Sequence, residues 1–218
     1  RRVFQAVATS QLSIVLWGAS QHPTLVAWAA QSGWPLRQQQ GDHLGERMAH
    51  ALADELAAGA ERAILIGTDC PLMNANYVAQ AEAALASADV VLGPAEDGGY
   101  VLIGCSRAVP EIFREIEWGT NRVLEQTLKS ASLAQLRVSQ LDTLWDVDRP
   151  EDWLRYLALQ AAEKEKTTDG VEGRACAATS LIRATIARRP LPRVTDRCAS
   201  RSSCSKTFSI SSLFISLA

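Results

Sequence analysis

Apolar positions along the chain fall into short continuous runs separated by stretches of helical period. Residues 63–67 (AILIG) and 90–93 (VVLG) are β-branched runs that each end in a cluster of Asp, Gly and Pro. Such runs bounded by turn residues predict buried parallel strands. Residues 74–88 carry a helical pattern between them, giving a strand–helix–strand unit capped at its start by Asn74. Upstream, 12–17 (LSIVLW) has strand length, and Pro23 opens a helix whose apolar positions Leu25, Val26, Ala29 and Ala30 stop at Gly33. Residues 34–40 are a strand or an extended loop. Asp42 is placed to cap a helix over 44–58 with Met48, Ala51, Leu52 and Leu56 on its apolar face. Downstream, 100–104 (YVLIG) predicts a strand and 110–116 a short helix. A helix over 121–129, a strand over 135–141 and a helix over 150–160 follow, the last opened by Pro150 with Glu151 and Asp152 in its first turn. Residues 1–9 read as the end of a helix whose beginning precedes Arg1.

In open parallel sheets, ligands bind beyond the carboxyl ends of the strands. Asp69 and Asp97 both follow such ends. Carboxylates in Gly-rich loops, where backbone can approach closely, suit a divalent cation and a phosphate-bearing substrate. Asp146 and Asp148 share a side if 144–149 is extended, because side chains alternate at period two. Each residue also has a plainer reading. Asp69 before Pro71 is a turn former, and Asp97-Gly98-Gly99 is a hairpin turn. Glu46 suits the helix dipole, Asp148 can cap a helix, and Tyr100 and Trp118 can be core aromatics.

The 218 residues suffice for one α/β domain, and the net charge of −2 carries no nucleic-acid footprint. Charge is unevenly spread: residues 1–166 carry a balance of −7 and residues 167–218 one of +5. All six Trp precede residue 154 and nine Ser follow residue 179. The composition therefore predicts a folded domain over 1–160 and a basic, Ser/Arg-rich, disordered or out-of-frame tail over 161–218, with the final SISSLFISLA an exposed β-prone run. The five Cys show no CxxC pair and no metal spacing, which fits a reducing cytoplasm. No apolar run reaches the ~18 residues of a membrane span, and no signal peptide is visible.

QQQGDHLGERM, ILIGTDCPLM, VVLGPAEDGGYVLIG, IEWGTNRVLEQT and LWDVDRPEDW occur in this order. Together they resemble the rSAM/selenodomain-associated transferase 1 family, glycosyltransferases of arsenosugar biosynthesis, across about residues 10–158. Similar pieces occur in molybdenum cofactor guanylyltransferases and phospholactate guanylyltransferases. The resemblance implies a Rossmann-like α/β/α sandwich of the nucleotide-diphospho-sugar transferase (GT-A) type. It implies a nucleotide-sugar donor, a small-molecule acceptor and Mg2+ or Mn2+, with no nucleic acid or membrane as partner. By position, Asp69 resembles the metal-linked acid after the central strand, and Asp146 or Asp148 the second acid. Asp97, Gly98, Gly99 and Tyr100 match the acceptor-side loop, with Asp97 orienting or deprotonating the acceptor hydroxyl. Gln40, Gly41, Asp42, Gly45, Glu46 and Arg47 match the QxGDLGERM stretch, with His43 standing where the family more often has Asp-Leu directly. Trp118 and Thr120 are expected to line the pocket.

The family's first strand and its GxxKTR donor loop have no counterpart in residues 1–20. The sheet is therefore expected to lack a central strand and to leave an aggregation-prone edge. Nucleotidyl transfer with pyrophosphate release is the alternative chemistry on the same fold, and an inactive fragment is the other alternative.

Overall fold

Strands whose two faces are both apolar need a cover on each side, and the sequence supplies it by alternating strands with amphipathic helices. The computed structural model describes residues 3, 7, 8, 12–169 and 213–217. Seven strands form one sheet: β1 (Ile14–Gly18), β2 (Leu36–Gln38), β3 (Ala63–Gly67), β4 (Val90–Pro94), β5 (Tyr100–Cys105), β6 (Val138–Gln140) and β7 (Leu213–Leu217), in the spatial order β2-β1-β7-β3-β5-β4-β6. The helices are α1 (Pro23–Ser32), α2 (Leu44–Ala57), α3 (Ala75–Ala84), α4 (Val123–Leu133) and α5 (Pro150–Asp169), with a 3-10 turn at Pro110–Phe113.

Period-two alternation sends successive strand residues to opposite faces. Leu16, Ile64, Ile66, Val91 and Leu102 pack with Leu25 and Ala29 of α1 and Val78 and Ala81 of α3. Val15, Trp17, Leu65, Leu92 and Ile103 pack on the other side with Met48, Ala51 and Leu52 of α2 and Val123 and Ala131 of α4. The result is the expected α/β/α sandwich. By contact the chain divides into two compact units, residues 1–156 with 208–218, and residues 157–207. Within the second unit the described residues continue α5. None of the helices among the described residues is long and apolar enough to cross a membrane. Cys70 and Cys105 are free and buried, and burial pushes their thiols up to about 11 and about 12.

The parallel strand–helix–strand unit forms as expected, with the Asp-Gly-Gly hairpin folding β5 antiparallel between β3 and β4. Three sequence expectations are corrected. Residues 110–116 form only the 3-10 turn. The last helix continues past 160 to Asp169.

The third correction concerns the C-terminal run. Residues 213–217 are not an exposed segment; they form a central strand, antiparallel to both β1 and β3, with Ile215 fully buried. No open edge is left between β1 and β3. Residues 170–212, most of the expected tail, lie outside the described residues, as do Cys176, Cys198 and Cys204.

Candidate functional site

β2, β1, β3, β4 and β6 all point the same way, β7 and β5 being antiparallel insertions. Their carboxyl ends therefore define one rim, and the loops carrying Gln40–Arg47, Asp69, Asp97 and Asp146–Asp148 all leave from it.

Asp69 follows β3, where Pro71 ends the strand because it has no N–H for the ladder. Asp146 and Asp148 arrive from the far edge. Beyond β6 the chain runs on past the end of β4: Leu141 N–H donates to Leu92 O at 2.9 Å, Leu144 N–H to Pro94 O at 2.9 Å and Glu96 N–H to Leu144 O at 3.0 Å. Tyr77 of α3 donates its hydroxyl to Asp142 O at 2.7 Å. Val147 N–H then donates to Asp69 O at 3.2 Å, closing the 141–148 segment onto the β3 loop.

One carboxylate oxygen from each of Asp69, Asp146 and Asp148 lies within 4.8 Å of the others. Asp146 is only 6% exposed, and its Oδ2 is buried with no hydrogen-bond partner. Burial first, then the charges of Asp148, Asp97 and Asp69, pushes the Asp146 carboxyl up to about 7. A buried acceptor without a partner beside two more acids is costly unless a cation satisfies it. The donor set is all oxygen, as hard divalent ions prefer. These three residues thus fit a metal ion, and the paired Asp146 and Asp148 both join Asp69. Asp97 lies outside the trio but close enough for its charge to act on Asp146.

The Asp97 loop is held rigidly. Asp97 Oδ1 accepts from Gly99 N–H at 2.9 Å, and Gly98 N–H donates to Ala95 O at 3.1 Å. Gly98 sits at φ +89°, and a Cβ there would lie 2.1 Å from Asn121 O. Only glycine suits both the left-handed backbone and that approach. Leu124 N–H donates to Gly98 O at 2.9 Å, tying the loop to the start of α4.

The 40–47 stretch folds differently from its sequence expectation. Asp42 does not cap α2. His43 is the N-cap, its Nδ1 accepting from Glu46 N–H at 3.4 Å, and Glu46 Oε2 accepts from Asp42 N–H at 2.7 Å. The arrangement is a variant of the capping box, with histidine in the Ser/Thr role and the Glu46 carboxylate reaching one residue further back, to Asp42 N–H. The Asp42 N–H, the leading cause, holds the Glu46 carboxyl below its usual range. Arg47 Nε donates to Gly41 O at 3.1 Å. Glu46 and Arg47 thus shape the loop, while Gln40, Gly41 and Asp42 are exposed on it.

Gly45 at the start of α2 faces the Trp118 ring so closely that a Cβ would fall 2.5 Å from it. Trp118 in turn meets Tyr100 edge to face, centroids 6.4 Å apart. Tyr100 is 5% exposed, so its side chain belongs to the core rather than to an open pocket. Thr120 Oγ1 donates to Glu117 O at 2.8 Å and accepts from Arg122 N–H at 3.3 Å, stabilising a turn at the surface.

Sequence reading missed three supports. Arg155 of α5 grips Glu96, beside Asp97, through two bonds of 2.6 and 2.9 Å and lies 4.4 Å over the Trp145 ring. This bidentate pair braces both acid-bearing loops at once. Gln39, buried, donates Nε2 to Trp17 O at 2.9 Å and fixes the start of the 40–47 loop. Asp152 Oδ2 accepts from Asp148 and Arg149 N–H at 3.2 and 2.9 Å, fixing the Asp148 backbone.

No curated protein matches the chain. Among solved structures, the crystal structure of a protein from Desulfovibrio desulfuricans G20 described as a "putative nucleotide-diphospho-sugar transferase" is similar at 32% identity and a TM-score of 0.61. The match covers 67% of this chain and 66% of that protein, so this chain spans slightly less than two thirds of its length. The likeness supports a nucleotide-diphospho-sugar transferase-like fold. By the pattern it matches over residues 3–120, the chain belongs to the family described as "uncharacterized protein conserved in bacteria (DUF2064)".

Proposed function

We propose that this chain carries the metal and acceptor side of a glycosyltransferase-like enzyme. Its donor is a nucleotide-diphospho-sugar and its acceptor a small hydroxyl-bearing molecule. The observation that supports this reading most is the meeting of Asp69, Asp146 and Asp148 within 4.8 Å, with the Asp146 Oδ2 buried and unpaired. These three side chains would hold Mg2+ or Mn2+. Such a cation, when bound, neutralises charge on a diphosphate leaving group as a Lewis acid.

Asp97, whose charge reaches Asp146, is the acid beside this cluster with a role left to fill. It takes the proton of the acceptor hydroxyl as that oxygen bonds to the anomeric carbon, and the bond from that carbon to the diphosphate breaks. Gly98 and Gly99 let the acceptor approach the backbone. Gln40, Gly41 and Asp42 present the exposed side of the neighbouring loop to the substrate, and Glu46 and Arg47 hold that loop in shape. Tyr100, Trp118 and Thr120 brace the acceptor wall from behind. The reading places the protein in the cytoplasm, where nucleotide sugars are made.

Calorimetric titration with UDP- and GDP-sugars, with and without Mn2+, tests the proposal. Mn2+-dependent binding followed by release of nucleoside diphosphate in the presence of acceptors is expected. Pyrophosphate release from GTP or CTP without consumption of sugar nucleotide would replace glycosyl with nucleotidyl transfer. Absence of any nucleotide binding would leave the chain an inactive piece.

A further inference from the structure

Two acid-bearing pieces of the rim are each fastened to a different part of the fold. Asp97 lies in a turn tied to α4 by the bond from Leu124 N–H to Gly98 O at 2.9 Å. Asp146 lies in a segment tied to α3 by the Tyr77 hydroxyl and to the β3 loop by Val147 N–H on Asp69 O. The pieces meet at an isolated parallel bridge between Ala95 and Leu144, where Glu96 N–H donates to Leu144 O at 3.0 Å. Asp97 stands two residues past this bridge on one side, and Asp146 two residues past it on the other.

The residues in between are Glu96 and Trp145, and Arg155 of α5 engages both. Its guanidinium makes paired bonds of 2.6 and 2.9 Å to the Glu96 carboxylate and lies 4.4 Å over the Trp145 ring. A planar guanidinium can do both at once, meeting a carboxylate with its fork and an indole with its face. Trp145 is 4% exposed and so is itself fixed by packing. The Arg155 and Glu96 side chains are 47% and 52% exposed. Ion pairs this exposed add little to stability, so the consequence of this one is geometric.

We propose that Arg155 is a positioning residue: by clamping Glu96 to Trp145 it fixes the spacing between Asp97 and the cluster of Asp69, Asp146 and Asp148. The clamp itself is independent of the chemistry, while its kinetic effect rests on the transfer reading above. Asp97 acts in the chemical step, so a changed spacing slows turnover more than it weakens donor binding. A misplacement of about 1 Å can cost roughly a hundredfold in rate.

Amide hydrogen exchange on the full chain tests the clamp. Arg155→Met keeps an apolar stem beside Trp145 and removes the fork. Peptides covering 94–99 and 141–147 should both exchange about tenfold faster in this variant, with β3 and β5 unchanged. Unchanged protection, loss in one segment alone, or loss throughout the sheet would each overturn the proposal. Kinetics then use Mn2+ with UDP-glucose or GDP-mannose, whichever the native chain consumes, and follow release of the nucleoside diphosphate. Arg155→Met should lower kcat about tenfold or more and leave the donor KM within about twofold. The Asp97→Asn/Arg155→Met double variant should be no slower than Asp97→Asn, because Arg155 acts through Asp97. Losses that multiply, or a raised KM with kcat unchanged, would overturn the proposal. If the native chain releases neither nucleoside diphosphate, the transfer reading falls, and the exchange result alone decides whether Arg155 is the clamp.

Discussion

The Tyr77 hydroxyl donates a 2.7 Å hydrogen bond to the backbone carbonyl of Asp142, a residue 65 positions away. Gly93 lies directly beneath this contact, and a Cβ there would stand 2.6 Å from the same hydroxyl. The bond pins the segment that delivers Asp146 and Asp148 to Asp69. Tyr77→Phe should cost about 1 kcal/mol of stability, the net value of one such bond. It should also weaken Mn2+ binding several-fold, because the pinned segment gains freedom. Denaturant unfolding and calorimetric titration of the same variant read the two effects. Unchanged Mn2+ affinity would show that Val147 and Glu96 hold the segment unaided.

Asp146 and Asp69 should respond differently to neutralisation. Asp146→Asn removes a buried charge, so the cation-free protein should melt at the same temperature or higher. The rise in melting temperature on adding Mn2+ should disappear. At a hundredfold excess over its dissociation constant a ligand stabilises by about 2.7 kcal/mol, so the lost signal is several degrees. Asp69→Asn should leave helical circular dichroism unchanged and abolish metal-dependent activity. A full Mn2+ shift in either variant would move the cation elsewhere.

Gly98→Ala tests the acceptor loop. The left-handed backbone alone costs about 1–3 kcal/mol for a strained residue, and the approach of Asn121 O leaves no room for the methyl group. A drop in stability of at least this size is expected in thermal unfolding. Gly59→Ala, also at positive φ but with open space around it, should cost less.

Acid titration should report Asp89. Its carboxylate accepts from Arg137 N–H at 2.9 Å and from the Arg137 and Arg107 guanidinium groups, and it is held down at about 2, mainly by the Arg137 side chain. The folded value lies below the unfolded one, about 3.9. The contribution to stability is therefore complete above pH about 4 and lost as pH falls toward about 2. Melting curves of Asp89→Asn should show a shallower slope across that window than the native chain.

Local signals carried much of this architecture. The Asn74 cap, the Gly33 stop and the β-branched runs at 63–67 and 90–94 are read within a few residues, and the structure bears them out. The acids after strand ends were legible because Pro71 and the Asp-Gly-Gly turn mark where those strands stop. Neighbour order was not legible. A strand–helix–strand pattern fixes the direction of β3 and β4, but not that the hairpin returns β5 between them. The cap of α2 went to His43 rather than Asp42, because an imidazole nitrogen reached the Glu46 N–H, a choice set by side-chain geometry. The pairing of Arg155 with Glu96 joins residues 59 positions apart and leaves no local trace.

The place of β7 has a bearing on how the protein is made. Its partners in β1 lie roughly two hundred residues earlier, and contacts so distant in sequence form slowly. While the ribosome is still translating residues before 213, the nascent sheet has a gap at its centre, and its apolar margins stay unsatisfied until synthesis reaches β7. During that interval the growing polypeptide is a natural client for chaperones that shield unpaired strands.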